Sequence, residues 1–201
     1  MPRFQQIAPE SATGKSKELL DAVKSKLGLV PNISRAMANS PAVLEGYLGL
    51  SGALAKGRLS AKNREQIALA VGQANQCDYC LAAHSAIGKM VGLTADEIQD
   101  SRRGSAVDPK GDAVIRFAQK LVENRGWITD DDIETLHAIG FDDGAICEVV
   151  ANVALNIFTN YFNHVAETEI DFPKVAPIAN RDGHVNHHDA RATTTCCNPT
   201  R

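Results

Sequence analysis

Apolar residues recur at intervals of three and four along most of this chain, the spacing that lines one face of an α-helix. Leu19, Leu20, Val23 and Leu27 set the rhythm over 14–27. Pro31 and the Asn-Ile-Ser that follows break it and start a new element, so short helices are expected over 33–39 and 41–56, with Pro41 in a first-turn position. Ser60 suits the N-cap of a helix over 61–74. Asn75 and Gln76 interrupt that helix, and another begins near Cys77 and ends between Gly88 and Gly92. Thr94-Ala-Asp-Glu97 has the form of a capping box and opens a short helix. Two more are expected over 110–124 and 129–138, with Gly140 ending the second. Asp143 then caps a long helix to about 168. No alternating segment is long enough for a sheet, so the chain reads as all-α.

The pattern also repeats. A shift of 83 residues brings Ser60 onto Asp143, Glu65 onto Glu148, Ile67 onto Val150 and Ala68 onto Ala151. The same shift sets Cys77-Asp78-Tyr79-Cys80 against Asn160-Tyr161-Phe162-Asn163. This reads as a compact helical fold with a diverged internal helical repeat that keeps thiols in its first copy and carries amides in its second. The second copy is expected to pack on the first rather than react.

Composition narrows the classes. The length of 201 residues suits one domain with a substantial core, and an aromatic content of 5% with abundant alanine suits closely packed helices. The formal charge is −3 with scattered Lys and Arg, which gives no nucleic-acid surface. No apolar run reads as a membrane span, and MPRFQQIAPESATGKSKE lacks the apolar stretch of a secretory leader, so a cytoplasmic location is expected. The helical domain is placed at 1–175. Residues 176–201 are expected to be a polar tail, disordered or laid on a neighbouring subunit.

The chemistry concentrates in EQIALAVGQANQCDYCLAAH, residues 65–84. Cys77, Cys80 and His84 stand at i, i+3 and i+7, one face of a helix, with Glu65 twelve residues before the first thiol. Two thiols so placed can oxidise to a disulfide, and the imidazole and carboxylate can move the proton that a thiol loses before it reacts. Glu65 sits on an otherwise largely apolar helix, where a carboxylate calls for a partner, and His84 is the natural one. The N-terminus of the second helix favours a thiolate. Spacing alone leaves either cysteine as nucleophile.

This Glu-x11-Cys-x2-Cys-x3-His arrangement resembles the active-site signature of the alkyl hydroperoxidase D (AhpD-like) branch of the carboxymuconolactone decarboxylase superfamily. The flanks LVPNISRAMANSPAVLEGYLGLSGALAKGRLSAKNREQIALAV and NIFTNYFNHVAETEIDFP are similar to that family's as well, so the likeness spans roughly 15–175. It implies a thiol-dependent peroxidase needing no cofactor. Cys80 would attack a hydroperoxide and become a sulfenic acid, Cys77 would close the disulfide, and Glu65 and His84 would form the proton relay. It further implies a dithiol reductant, lipoylated or thioredoxin-like, and a homo-oligomer, a trimer or hexamer. Apolar positions such as Val43, Leu44, Leu48 and Leu50 also ask for cover. One position departs from the family: where the residue before the second cysteine can be a relay histidine, this chain has Tyr79, a poor base at neutral pH.

Other readings of the same residues stand beside this one. Cys-x2-Cys-x3-His offers three zinc ligands, but a closed site needs a fourth and there is no second CxxC or CxxH. A lactone decarboxylase lyase of the same superfamily, and a non-enzymatic redox sensor using the disulfide, are the functional alternatives. Cys147, within Ile146-Cys147-Glu148-Val149-Val150, is expected to be a core residue. Cys196 and Cys197 read as exposed and incidental, and His184, His187 and His188 as at most an adventitious metal site.

Overall fold

The computed structural model describes residues 1–178. The expected tail, with its histidines, Cys196 and Cys197, lies almost wholly outside them. The described residues form nine helices and no strand: α1 Gly14–Leu27, α2 Asn32–Met37, α3 Pro41–Leu54, α4 Ala61–Ala74, α5 Asp78–Met90, α6 Ala95–Arg103, α7 Pro109–Glu123, α8 Asp130–Ala138 and α9 Asp143–Ala166.

The helix starts follow local chemistry. Ser60 accepts from the Asn63 N–H at 3.0 Å and caps α4. Thr94 and Glu97 form the capping box of α6, at 2.7 and 3.1 Å. The cap of α9 is Asp142, which accepts from the Ala145 N–H at 2.8 Å, rather than Asp143 as the repeat suggested. Asp143 is the first helical residue.

α4 is the hub and packs against α5, α6, α7 and α9. Residues 66–72 of α4 are all buried, with Ile67, Leu69, Ala70 and Val71 fully so. Burial on every side is how a helix with apolar residues around its whole circumference settles. One core cluster joins α4 to α7, α8 and α9 through Ile67, Val71, Val114, Leu136 and Val149. A second joins α1, α2, α3 and α5 through Leu20, Met37, Leu44, Cys77 and Cys80. Leu44 is thus covered by the chain itself, and Val43 and Leu48 are partly covered, whereas Leu50 is exposed.

Two further sequence expectations need correction. Cys147 is exposed. α9 turns Ala145, Ile146, Val149 and Val153 inward, and Cys147 falls between those turns on the outer side. α9 also has the length and mean hydropathy (1.3) of a membrane span, against the expectation that no run would. It nevertheless packs against α3, α4, α5 and α7 and buries Asn152, Asn156, Asn160 and Asn163, an arrangement of a core helix. Beyond α9, the Ala176 carbonyl accepts from Arg102 Nη2 at 3.0 Å, while Arg102 Nε donates to Gln73 at 3.0 Å.

Ile67 is fully buried in the hub, so Ile67→Ala should lower the unfolding free energy by about 2–5 kcal/mol in denaturant titrations, with an unchanged m-value.

Candidate active site

The site begins at the end of α4. Gln76 adopts a left-handed backbone, φ 56°. The Cys77 N–H reaches the Gly72 carbonyl at 2.9 Å and the Gln76 N–H reaches Gln73 at 3.1 Å, the paired bonds of a Schellman ending. Cys77 then becomes the N-cap of α5: its sulfur accepts from the Cys80 N–H at 3.4 Å. One residue therefore closes one helix and opens the next. Cys80 lies in the first turn of α5, at the positive end of the helix dipole.

α5 packs along α4, and this brings together two residues nineteen apart. Glu65 Oε2 lies 2.8 Å from His84 Nδ1. Their side chains retain 15% and 22% exposure, whereas Cys77 and Cys80 are buried at 1% and 3%. The Glu65–His84 pair is thus the more exposed edge of a centre whose sulfurs lie deeper.

From the far side come residues that the motif did not reveal. Asn163 of α9 donates through Nδ2 to the Cys80 sulfur at 3.3 Å, and both residues are buried. Asn160, one turn earlier, accepts from Asn75 Nδ2 at 2.9 Å. The internal repeat is the one signal in the chain that points to them, since it aligns Asn163 with Cys80 and Asn160 with Cys77. That pattern predicts packing alone, and the bond to sulfur goes further. The other aligned carboxylate, Glu148, works elsewhere. It accepts from the backbone N–H groups of Arg58 and Leu59, at 2.7 and 3.1 Å through Oε2.

These contacts decide where negative charge rests. The neighbouring Cys77 thiol, donating to Cys80, does most to stabilise the Cys80 thiolate. Burial opposes it, while His84, Asn163 and Asn160 add to it, and the Cys80 pKa is lowered to about 7. The shared proton and burial push Cys77 far above the usual thiol range. Cys77 does receive the Cys80 backbone N–H, but the imidazole favours charge on the Cys80 sulfur, and so the thiolate belongs to Cys80. Burial works against an imidazolium at His84. Glu65 and Cys80 outweigh it and hold the His84 pKa above its ordinary value.

Tyr79 is turned elsewhere. Its hydroxyl accepts from the Ile33 N–H at 3.3 Å, and its ring meets Phe172 edge-on at 5.8 Å. Burial keeps the phenol protonated well above its usual range. It joins α5 to α2 and to the segment after α9, and it makes no hydrogen bond to Glu65 or His84. Among the described residues no group of three or more His, Cys, Asp and Glu side chains is arranged to hold a metal ion.

Residues 41–123, which contain all four motif positions, match the model of the carboxymuconolactone decarboxylase family. No curated protein matches the chain. The fold is similar to that of a peroxidase-related protein with an alkylhydroperoxidase AhpD core from Ralstonia eutropha (TM-score 0.77, 23% identity, 85% of this chain and 92% of that one). It is also similar to a peroxidase-related protein from a Silicibacter species (TM-score 0.73, 23% identity, 83% and 89%). A third similar structure is the debrominase Bmp8 in complex with 2,3,4-tribromopyrrole (TM-score 0.71, 17% identity, 85% and 94%).

The rate of Cys80 alkylation by iodoacetamide should rise with pH through an inflection near about 7, because the lowered pKa leaves the thiolate dominant above that pH and removes it below. Asn163→Ala should move the inflection upward by about one pH unit or more, since it deletes a hydrogen bond to a charged group worth about 1.5–3 kcal/mol. Thiolate absorbance at about 240 nm offers the same readout.

Proposed function

We propose that this chain, an AhpD-like protein of the carboxymuconolactone decarboxylase superfamily, is a thiol-dependent peroxidase that reduces organic hydroperoxides through a Cys80 sulfenic acid and a Cys77–Cys80 disulfide. The observation that carries this reading is a buried Cys80 sulfur with a lowered pKa, flanked by a second thiol at the cap of the same helix and by a Glu65–His84 pair at 2.8 Å.

Each residue has a defined role in this reaction. Glu65 orients His84 and favours its cationic form. His84 takes the Cys80 proton. The Cys80 thiolate attacks the terminal oxygen of ROOH; an S–O bond forms, the O–O bond breaks, and the electron pair leaves with RO, which takes back the proton held on His84 and departs as ROH. Cys80 is thereby oxidised to a sulfenic acid. The high pKa of Cys77 keeps its proton in place during attack, so that it does not compete as a nucleophile. It then condenses with the sulfenic acid, releasing water and forming the disulfide. A dithiol, on a lipoylated or thioredoxin-like protein, returns both cysteines to thiols. A reducing, cytoplasmic setting and assembly into a trimer or hexamer belong to the same proposal.

Cys80→Ser should abolish turnover of tert-butyl hydroperoxide with excess dithiol and leave no sulfenic acid to trap. Cys77→Ser should react once and accumulate trappable sulfenic acid. Glu65→Gln and His84→Ala should slow the first step by about 10²–10⁴-fold with an unchanged helical circular dichroism spectrum. Reversed results for the two serine variants would exchange the roles of the thiols, and a single turnover in wild type under excess dithiol would make the chain a sensor. Light scattering at micromolar concentration should give a multimer mass; a monomer mass would contradict the assembly.

A further inference from the structure

Oxidation adds a polar group to an enclosed place. Cys80 is 3% exposed, so the hydroxyl it takes from a hydroperoxide is buried as soon as it forms. A buried S–OH needs a donor for its oxygen and an acceptor for its proton, because an unpaired polar group is costly away from water. Glu65 and His84 meet each other at the more exposed edge of the site. On the far side stands α9.

α9 buries four asparagines, and they divide into two pairs. Asn152 and Asn156 turn back onto their own helix, donating to the Glu148 and Asn152 carbonyls at 2.7 and 2.8 Å. Asn160 and Asn163, 0% and 4% exposed, reach off it. Asn163 Nδ2 donates to the Cys80 sulfur at 3.3 Å, which leaves its Oδ1 with no hydrogen-bond partner among the described residues. Asn160 Oδ1 accepts at 2.9 Å from Asn75, the C-cap of α4 two residues before Cys77. That leaves Asn160 Nδ2 unpartnered in the same way. The two bonds decide which end of each amide is oxygen and which nitrogen. Residues three apart are neighbours on one face of a helix, so a spare donor and a spare acceptor stand side by side, and one of the two amides touches the sulfur. Asn160 also favours negative charge on Cys80.

We infer that Asn160 Nδ2 and Asn163 Oδ1 form a cradle for the oxygen that Cys80 takes from the hydroperoxide, the first donating to that oxygen and the second accepting its proton. The inference rests on the peroxidase reading and extends it to closure of the disulfide. In that step the Cys77 thiol attacks the Cys80 sulfur. An S–S bond forms, the S–O bond breaks, and the electron pair leaves with the oxygen, which takes the Cys77 proton and departs as water. The Asn160 N–H stabilises the negative charge that gathers on the departing oxygen, as a donor in an oxyanion hole does. The sum is thiol plus sulfenic acid giving disulfide plus water, with both amides unchanged.

The test closes the same disulfide by two routes on the full chain. tert-Butyl hydroperoxide leaves Cys80 as a sulfenic acid, and closure expels water. Methyl methanethiosulfonate leaves Cys80 as a methyl disulfide, and closure expels methanethiol, which carries no oxygen and leaves far more readily. The attacking thiol and the attacked sulfur are the same in both. Closure is timed by acid quench and intact mass once the first step is complete. Asn160→Ala should slow closure from the sulfenic acid by about 10²-fold and leave closure from the methyl disulfide within about threefold of wild type. Asn160→Leu, which fills the space without an amide, should behave alike. Asn75→Ala, which removes the anchor of Asn160 but not its Nδ2, should leave both routes as in wild type. Equal loss on both routes, or the same loss in Asn75→Ala, would make Asn160 a support of the turn alone. No loss on either route would leave the oxygen without a cradle. Each of these overturns the inference while the peroxidase reading stands. A wild type that forms no sulfenic acid with the hydroperoxide sinks the peroxidase reading itself, and this inference with it, before any variant is compared.

Discussion

The site depends on a reversal of the backbone at Gln76. A non-glycine residue in the left-handed region costs about 1–2 kcal/mol, and here two Schellman bonds and the Cys77 cap hold it in place. Without that reversal α4 would run on, Cys80 would lie mid-helix, and its sulfur would lose the end of a helix dipole. With it, α5 packs along α4 and sets His84 against Glu65. The same few residues thus produce both the nucleophile's electrostatics and its proton relay.

The second repeat copy shows what the reversal changes. α9 runs unbroken from Asp143 to Ala166, straight through the positions that match the thiols. A continuous helix has no free N–H groups there to stabilise an anion, because each is paired with a carbonyl one turn back. Amides are what such a helix can offer, and Asn163 donates its own N–H to the sulfur of the other copy. The matching carboxylates part in the same way. Glu65 is free to meet an imidazole, whereas Glu148 is occupied by backbone donors at the entry to α4. Divergence between the copies therefore reads as a division between an element that carries charge and an element that solvates it.

Much of this was legible from the chain. Helical periodicity and caps gave the nine helices to within a few residues, because those signals are local. The Glu65–His84 contact was legible because a lone carboxylate on an apolar helix demands a partner and the motif held one candidate. What escaped was non-local. Cys147 sits among apolar neighbours on both sides, and periodicity across five mixed residues does not say which of them an enclosing core will claim. Asp142 and Asp143 are both competent caps, and only tertiary placement chose between them. Asn163 lies 83 residues from the sulfur it touches, so it belongs to no spacing rule with the thiols.

The balance of charge explains why these groups occur together. A thiolate buried at 3% exposure is tolerable only beside a cation and several donors. The cation, His84, resists burial for the same reason, and is held charged by the Glu65 carboxylate and the thiolate itself. Glu65, His84 and Cys80 then sum to one negative charge in a poorly solvated place. A neutral thiol would remove that charge, so the arrangement gains from any reaction that moves negative charge off the sulfur and onto a departing atom. Attack on an O–O bond does this in a single step. The thiolate becomes a neutral sulfenic acid, and the charge passes to the leaving oxygen, where the imidazolium of His84 can neutralise it.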